Sequence, residues 1–225
     1  MARWHSQAPV VVPRPPLQPA GIEVLAGANG AGKSSVGGER FRREGGDYFN
    51  PDEVTRRIRA RHPGLSEATA NSAAWLQGRR LLERAIAQRL DFAFETTLGG
   101  RTIAALLEHA AVTGLEVRMW FVGLDSPERH IARVKARVGK GGHDIPEEKI
   151  RERYEGSREN LLRLLPHLTE LRLFDNSAEA DPTAGHRPEP LLVLHVVRGA
   201  ITQACPLPHV PTWAKPIVAA VMRTR

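Results

Sequence analysis

Short apolar runs alternate along the chain with longer segments of helical periodicity. Residues 22–26 (Ile22-Glu23-Val24-Leu25-Ala26), 47–49, 91–95 and 115–122 read as strands, with two more near 170–175 and 190–197. A helix is expected from about 33 to 44, stopped by Gly45-Gly46. Asn50-Pro51-Asp52-Glu53 opens another: Asn50 suits an N-cap, proline suits the first turn, and two acids favour the positive helix end. It should stop near Arg61, before His62-Pro63-Gly64. A long helix then runs from Ser66 to about Leu90, with Trp75, Leu82 and Ile86 recurring on one face. Further helices are expected at 100–113, at 126–138 after Ser126-Pro127-Glu128, from Pro146 to about Leu165, and near 211–222. Strands alternating with helices predict a mostly parallel sheet covered on both faces, an α/β fold.

Between the first strand and the first helix stands Gly27-Ala28-Asn29-Gly30-Ala31-Gly32-Lys33-Ser34, followed by Ser35. This is a complete G-x-x-x-x-G-K-S phosphate-binding loop in the strand–turn–helix setting it needs. Its glycines admit positive φ and close approach of backbone N–H groups to phosphate oxygens, and the helix N-terminus adds donors and a positive dipole end. Lys33 can reach the β- and γ-phosphates, and the Ser34 hydroxyl can ligate Mg²⁺. The loop predicts binding of a nucleoside triphosphate.

Two acids stand where strands deliver residues to such a loop. Asp52 lies just past the second strand, and ligands of open α/β sheets sit outside the carboxyl ends of the strands. It could accept a proton from an attacking hydroxyl, or cap its helix as a first-turn carboxylate; the two roles are compatible. Glu95 ends Phe92-Ala93-Phe94 and precedes Thr96-Thr97. It could hold Mg²⁺, bind substrate hydroxyls, or cap the next helix. Arginines 129, 133, 137, 151, 153 and 158 bracket the glycine-rich stretch 139–143, as in a helical lid that closes over phosphates. Spacing favours Arg137 as the one reaching the γ-phosphate, with most of the others on a solvated face. His143 could contact nucleotide or make local hydrogen bonds.

Composition narrows the picture further. The chain has 225 residues, 41% hydrophobic and 25% charged, enough for one well-buried domain. Its net charge of +7 would attract polyanions, but basic residues are interspersed with acids and aromatics are only 5%. Without an aromatic stacking platform, nucleic acid is not the expected partner. No apolar run approaches the ~18 residues of a membrane span. Prolines at 9, 13, 15, 16 and 19 interrupt any signal-like apolar core, and Cys205 is alone. A cytoplasmic protein is expected, with a proline-rich extension at 1–20, the main domain at 21–200, and a segment at 201–225 packing on it.

Taken in order, Gly27–Ser35, Phe49-Asn50-Pro51-Asp52-Glu53, Phe92–Leu98 and the 129–161 segment resemble the zeta-toxin family of P-loop kinases. The last of these includes Gly141-Gly142-His143-Asp144-Ile145-Pro146, Arg153-Tyr154 and Asn160-Leu161, and the likeness spans roughly residues 20–175. It implies a P-loop NTPase fold with a helical lid and a kinase using ATP or GTP with Mg²⁺. In the best-known members the acceptor is the 3′-hydroxyl of the sugar in UDP-N-acetylglucosamine and the product poisons cell-wall synthesis, so the resemblance implies a toxin of a toxin–antitoxin system with an antitoxin protein as partner. Carried over, Lys33 and Ser34 hold phosphates and Mg²⁺, Asp52 is the general base, and Glu95 with Thr96 positions substrate or metal. Arg137 matches a lid arginine, Arg153 or Arg158 less well. A kinase for another acceptor, such as a nucleoside or a polynucleotide end, and a non-catalytic nucleotide-dependent switch are the competing readings.

Overall fold

The computed structural model describes residues 20–38, 48–139, 142, 144–179 and 189–223. The extension at 1–19, the expected helix beyond residue 38, Gly45-Gly46 and His143 lie outside the described residues. Seven strands form one sheet: β1 (Gly21–Ala26), β2 (Tyr48–Phe49), β3 (Phe92–Thr96), β4 (Glu116–Gly123), β5 (Glu170–Asp175), β6 (Leu191–Val197) and β7 (Ala200–Ala204). Their spatial order is β2-β3-β1-β4-β5-β6-β7. Pairing is parallel from β2 through β5 and antiparallel at β5–β6 and β6–β7. The helices are α1 (Pro51–Arg61), α2 (Glu67–Gln88), α3 (Arg101–Val112), α4 (Pro127–Val138), α5 (Glu147–Leu164) and α6 (Lys215–Arg223). Among the described residues, no helix is long and apolar enough to cross a membrane.

Local signals set most boundaries. Asn50 caps α1, its side chain accepting from the amides of Asp52 (2.9 Å) and Glu53 (3.3 Å). Ser66 and Ser126 cap α2 and α4 by accepting from Thr69 N and Arg129 N. β1 is central, and Ile22, Val24, Leu25 and Ala26 are fully buried, as a strand covered on both faces must be. Its register with β3 sets Leu25 level with Glu95 and Ala26 level with Thr96. The chain passes from β3 to β4 on opposite sides of β1, so the loop after β1 emerges at a topological switch point.

Three expectations are corrected. Residues Ser34–Gly38 form a π-type turn rather than the start of a regular α-helix. Trp75 is 43% exposed, because the buried face of α2 is the small-residue stripe Ala70, Ala74, Gly78, Leu82, Ile86. A four-residue repeat advances about 40° per step on a helix of 3.6 residues per turn, so Trp75 is in phase with Leu82 but out of phase with Ala74. The stripe lets the helix approach closely; a Cβ on Gly78 would stand 2.5 Å from the Phe49 ring. Finally, β7 was not expected. Arg198 and Gly199, with φ of 49° and 77°, make the tight turn that folds it back on β6.

The link from β3 to α3 is held from α5. Leu98 is buried with φ of 54°, a costly conformation for leucine. The buried Asn160 side chain donates to Leu98 O (2.8 Å) and Gly100 O (3.3 Å) and so fixes this turn. Gly156 and Gly99 bring the two backbones together; a Cβ on Gly156 would overlap the Gly99 carbonyl. Replacing Asn160 with leucine should destabilise the fold by about 1–3 kcal/mol, because the buried Leu98 carbonyl loses its donor. Urea denaturation of the purified variant measures this directly, and an unchanged midpoint would show that Asn160 does not hold the turn.

Candidate active site

The loop after β1 has the backbone its glycines foretold. Gly27, Gly30 and Gly32 have φ of 142°, 81° and 87°. A Cβ on Gly27 would overlap the Val122 carbonyl oxygen, and one on Gly30 would stand 2.7 Å from His130 O. The loop is pressed against its surroundings: Ala28 and Ala31 are buried, and Lys33 is 7% exposed. The Lys33 ammonium donates to Gly27 O (2.7 Å) and Ala28 O (3.4 Å). Ser34 and Ser35 are exposed at the loop's end.

Of the two acids singled out in the sequence, Glu95 lies beside this loop, and one asparagine connects it to the start of the helix that carries Asp52. Glu95 pairs with Lys33 at 3.5 Å. Its carboxylate also accepts from Tyr48 Oη (2.8 Å) and Asn50 Nδ2 (3.1 Å). Asn50 thus donates to Glu95 through its amide while its carbonyl oxygen caps the helix that carries Asp52. Asp52 is largely exposed, and Arg137 from the end of α4 reaches it at 3.6 Å. Thr96 Oγ1 accepts from Leu98 N at 3.0 Å, tying it to the turn.

The arginines separate by what they touch. Arg153 donates to the Asn29 side chain at 2.8 Å, and its stem packs on Gly99. Burial holds its pKa below the ordinary arginine value, Glu152 and Asp52 partly opposing. Arg133 donates to Asn176 O at 2.8 Å. Arg129 pairs with Asp125 and Glu179, Arg151 with Glu128, and Arg158 with Glu155 while stacking on the Tyr154 ring. Arg137 and Arg153 therefore face the loop and its acids, whereas Arg129, Arg151 and Arg158 serve the helices that carry them.

Three side chains not anticipated from the sequence complete the surroundings. His130, buried on α4, places Nδ1 2.7 Å from Asn29 O. Burial lowers its pKa to about 4; nearby Lys33 and Arg133 push the same way, and the bond to Asn29 opposes. Asn176, just past β5, donates to Ala31 O at 2.8 Å. Tyr48 supports Glu95. A lone histidine on a helix gives no local signal, and Asn176 is visible only once β5 is known to lie two strands from β1.

Chemically, a glycine-rich nest, a buried ammonium and two arginines favour a polyphosphate. The carboxylates beside them supply a base and hard oxygen ligands. Ser34 Oγ and Glu95 are the donors that suit Mg²⁺, which takes few protein ligands and draws the rest from phosphate and water. Among the described residues no cluster of three or more His, Cys, Asp or Glu could hold a metal without such help.

A chain of the AvrRxo1-ORF1:-ORF2 complex with ATP superposes with a TM-score of 0.63 at 16% identity, covering 91% of this chain. This chain spans 64% of that one's length. A chain of the PezAT toxin–antitoxin system of Streptococcus pneumoniae matches with a TM-score of 0.51 at 15% identity, covering 70% of this chain and 68% of its own. At such identities these likenesses show the fold alone. An uncharacterized protein of Haemophilus influenzae (strain ATCC 51907 / DSM 11121 / KW20 / Rd) is 32% identical over 129 residues, 57% of this chain and 88% of its own length. The family model for zeta toxin matches residues 6–180, so the chain belongs to the zeta toxin family.

Proposed function

We propose that this protein is a phosphotransferase that moves the γ-phosphate of ATP or GTP to a hydroxyl of a nucleotide-sugar-like acceptor. UDP-N-acetylglucosamine is the expected acceptor. The observation that carries this reading is the cluster around Asn50, which joins the Glu95 carboxylate paired with Lys33 to the helix start that carries the Asp52–Arg137 pair. A nucleotide-binding switch needs the loop and its lysine; it does not need a solvent-accessible carboxylate and an arginine set beside each other.

In this reading the triphosphate lies along residues 27–34, and Lys33 turns from Gly27 O and Glu95 toward the phosphate oxygens. Asp52, exposed at the start of α1, takes the proton of the acceptor hydroxyl as it attacks in line. Arg137, already beside Asp52, and Lys33 neutralise charge on the transferred group. Ser34 and Glu95 would hold Mg²⁺, which would offset phosphate charge when bound. Glu95 and Thr96 border the acceptor side. The resemblance to the PezAT system supports an antitoxin protein as partner and a cytoplasmic setting, where nucleotide and acceptor are available.

The test is transfer of label from γ-labelled ATP or GTP to a panel led by UDP-N-acetylglucosamine. Lys33→Ala should weaken nucleotide binding by about 10- to 100-fold, the worth of a charge-assisted contact. Asp52→Asn should keep nucleotide affinity within about threefold yet lower transfer by about 10² or more, as loss of a general base does. Near-normal transfer by Asp52→Asn would remove Asp52 as the base. Chelation of Mg²⁺ should abolish transfer and its restoration recover it. Nucleotide binding without label on any acceptor would replace the kinase reading with a binding switch.

A further inference from the structure

A loop that wraps successive N–H groups around an anion must send its carbonyls the other way, and each buried carbonyl then needs a donor. Here Gly27 O accepts from Lys33, Ala28 O from the Ala31 amide, and Gly32 O from the amides of Ser35 and Val36. Two further donors come from outside the loop. His130 Nδ1 meets Asn29 O at 2.7 Å, and Asn176 Nδ2 meets Ala31 O at 2.8 Å. We propose that His130 and Asn176 are positioning residues for phosphate binding: they hold the Asn29 and Ala31 carbonyls outward and so aim the N–H groups of the same two peptides, those of Gly30 and Gly32, at the phosphates. This rests on the loop being a nucleotide site.

Each clamp is itself held. His130 is 1% exposed on α4 and meets the Tyr154 ring edge-on, 5.4 Å between centroids. Its Nδ1 faces a carbonyl, so that nitrogen carries the proton of the neutral ring. Asn176 donates its amide to Gly123 O (3.0 Å), and its carbonyl accepts from Arg133 (2.8 Å). The glycines fit the same pattern. A Cβ on Gly30 would press on the His130 backbone, and one on Gly32 would overlap Asn176 Nδ2. Two of the motif's glycines therefore make room for the clamps as well as for phosphate. The Asn29 side chain also receives Arg153, so both lid helices grip one loop residue.

Calorimetric titration with ATP and with inorganic tripolyphosphate, alongside a melting curve for each variant, tests the role. His130→Leu fills the buried site without a donor and should bind both ligands about tenfold more weakly while melting as a folded protein. His130→Asn offers Nδ2 where Nδ1 stood and should return to within about threefold of wild type. Asn176→Ala should reproduce the loss and decides the matter if the His130 variants do not fold. Wild-type affinity in both His130→Leu and Asn176→Ala overturns the proposal, as does a loss for ATP without one for tripolyphosphate. Wild type that binds neither ligand overturns instead the reading of the loop as a nucleotide site.

Stability against pH checks that the clamp is a neutral buried ring. Lys33 and Arg133 disfavour its proton and Asp125 favours it, with burial dominant, so the folded pKa of about 4 lies below the unfolded value near 6.5. Stability from the neutral ring is complete above pH ~6.5 and is lost as pH falls toward 4, where only the unfolded chain takes the proton. Relative to His130→Asn, the wild-type folding constant should fall about tenfold per pH unit between roughly 6 and 4.5. A difference that stays flat there would show an imidazole titrating as freely as in water, and the clamp would be refuted.

Discussion

A buried ammonium needs a counter-charge, and much of this fold is arranged around meeting that need for Lys33. With Lys33 at 7% and Glu95 at 12% side-chain exposure, either charge alone would be costly to bury. Glu95 is delivered by sheet register: β3 pairs in parallel with β1, which sets Glu95 level with Leu25, two residues before the loop begins. Tyr48 and Asn50 from the edge strand and its following helix complete the carboxylate's hydrogen bonds. Loop carbonyls share the lysine's remaining donors. A phosphate entering the nest competes with Glu95 for the ammonium, and the carboxylate so released is already oriented by two neutral donors. In the proposed reaction the Lys33–Glu95 ion pair therefore holds both partners ready for different tasks.

The C-terminal part of the chain, which carries no motif, enters the same network from behind. Trp213 is buried against Gly123 and Phe121, and its Nε1 donates to Asp175 at 2.7 Å. Asp175 also accepts from Ser177, and between them stands Asn176, which reaches the loop at Ala31. Gly123 is glycine because the indole leaves no room for a Cβ. A packing contact 38 positions downstream thus fixes the strand end from which the loop is clamped. β6 and β7 continue the sheet beyond β5 with antiparallel pairing.

What could be read in advance was whatever chemistry is written locally. The loop, the Asn50 cap with its proline and acids, and the acid ending Phe92-Ala93-Phe94 each occupy a few consecutive residues whose conformations follow from their own side chains. Asn50 was legible as a cap, but its second bond, to Glu95, depends on β2 lying beside β3. His130 and Asn176 were illegible for the same reason: their partners are 101 and 145 residues away. Trp75 misled because its phase matched Leu82, while the burial that mattered ran through alanines and a glycine, residues too small to register as an apolar stripe. β7 depends on a left-handed arginine before Gly199, a conformation that arginine itself does not advertise.

The two arginines at the site are held with different firmness, and this bears on how charge could be supplied during transfer. Arg153 is half-buried, packs on Gly99 and is fixed to Asn29, so its position is set by the fold. Preorganised donors of this kind cost no rearrangement when charge develops. Arg137 meets Asp52 where the side chains are 40% and 54% exposed, and an ion pair in that setting contributes only about 0–1 kcal/mol. Such a contact is readily exchanged for a phosphate oxygen, whose charge-assisted hydrogen bond is stronger. The exchange also frees the Asp52 carboxylate, and a base is useful only when its lone pairs are not already engaged. In the proposed reaction, then, Arg153 defines where the phosphates rest. Arg137 links nucleotide arrival to release of the base, which puts deprotonation of the acceptor after the donor is in place.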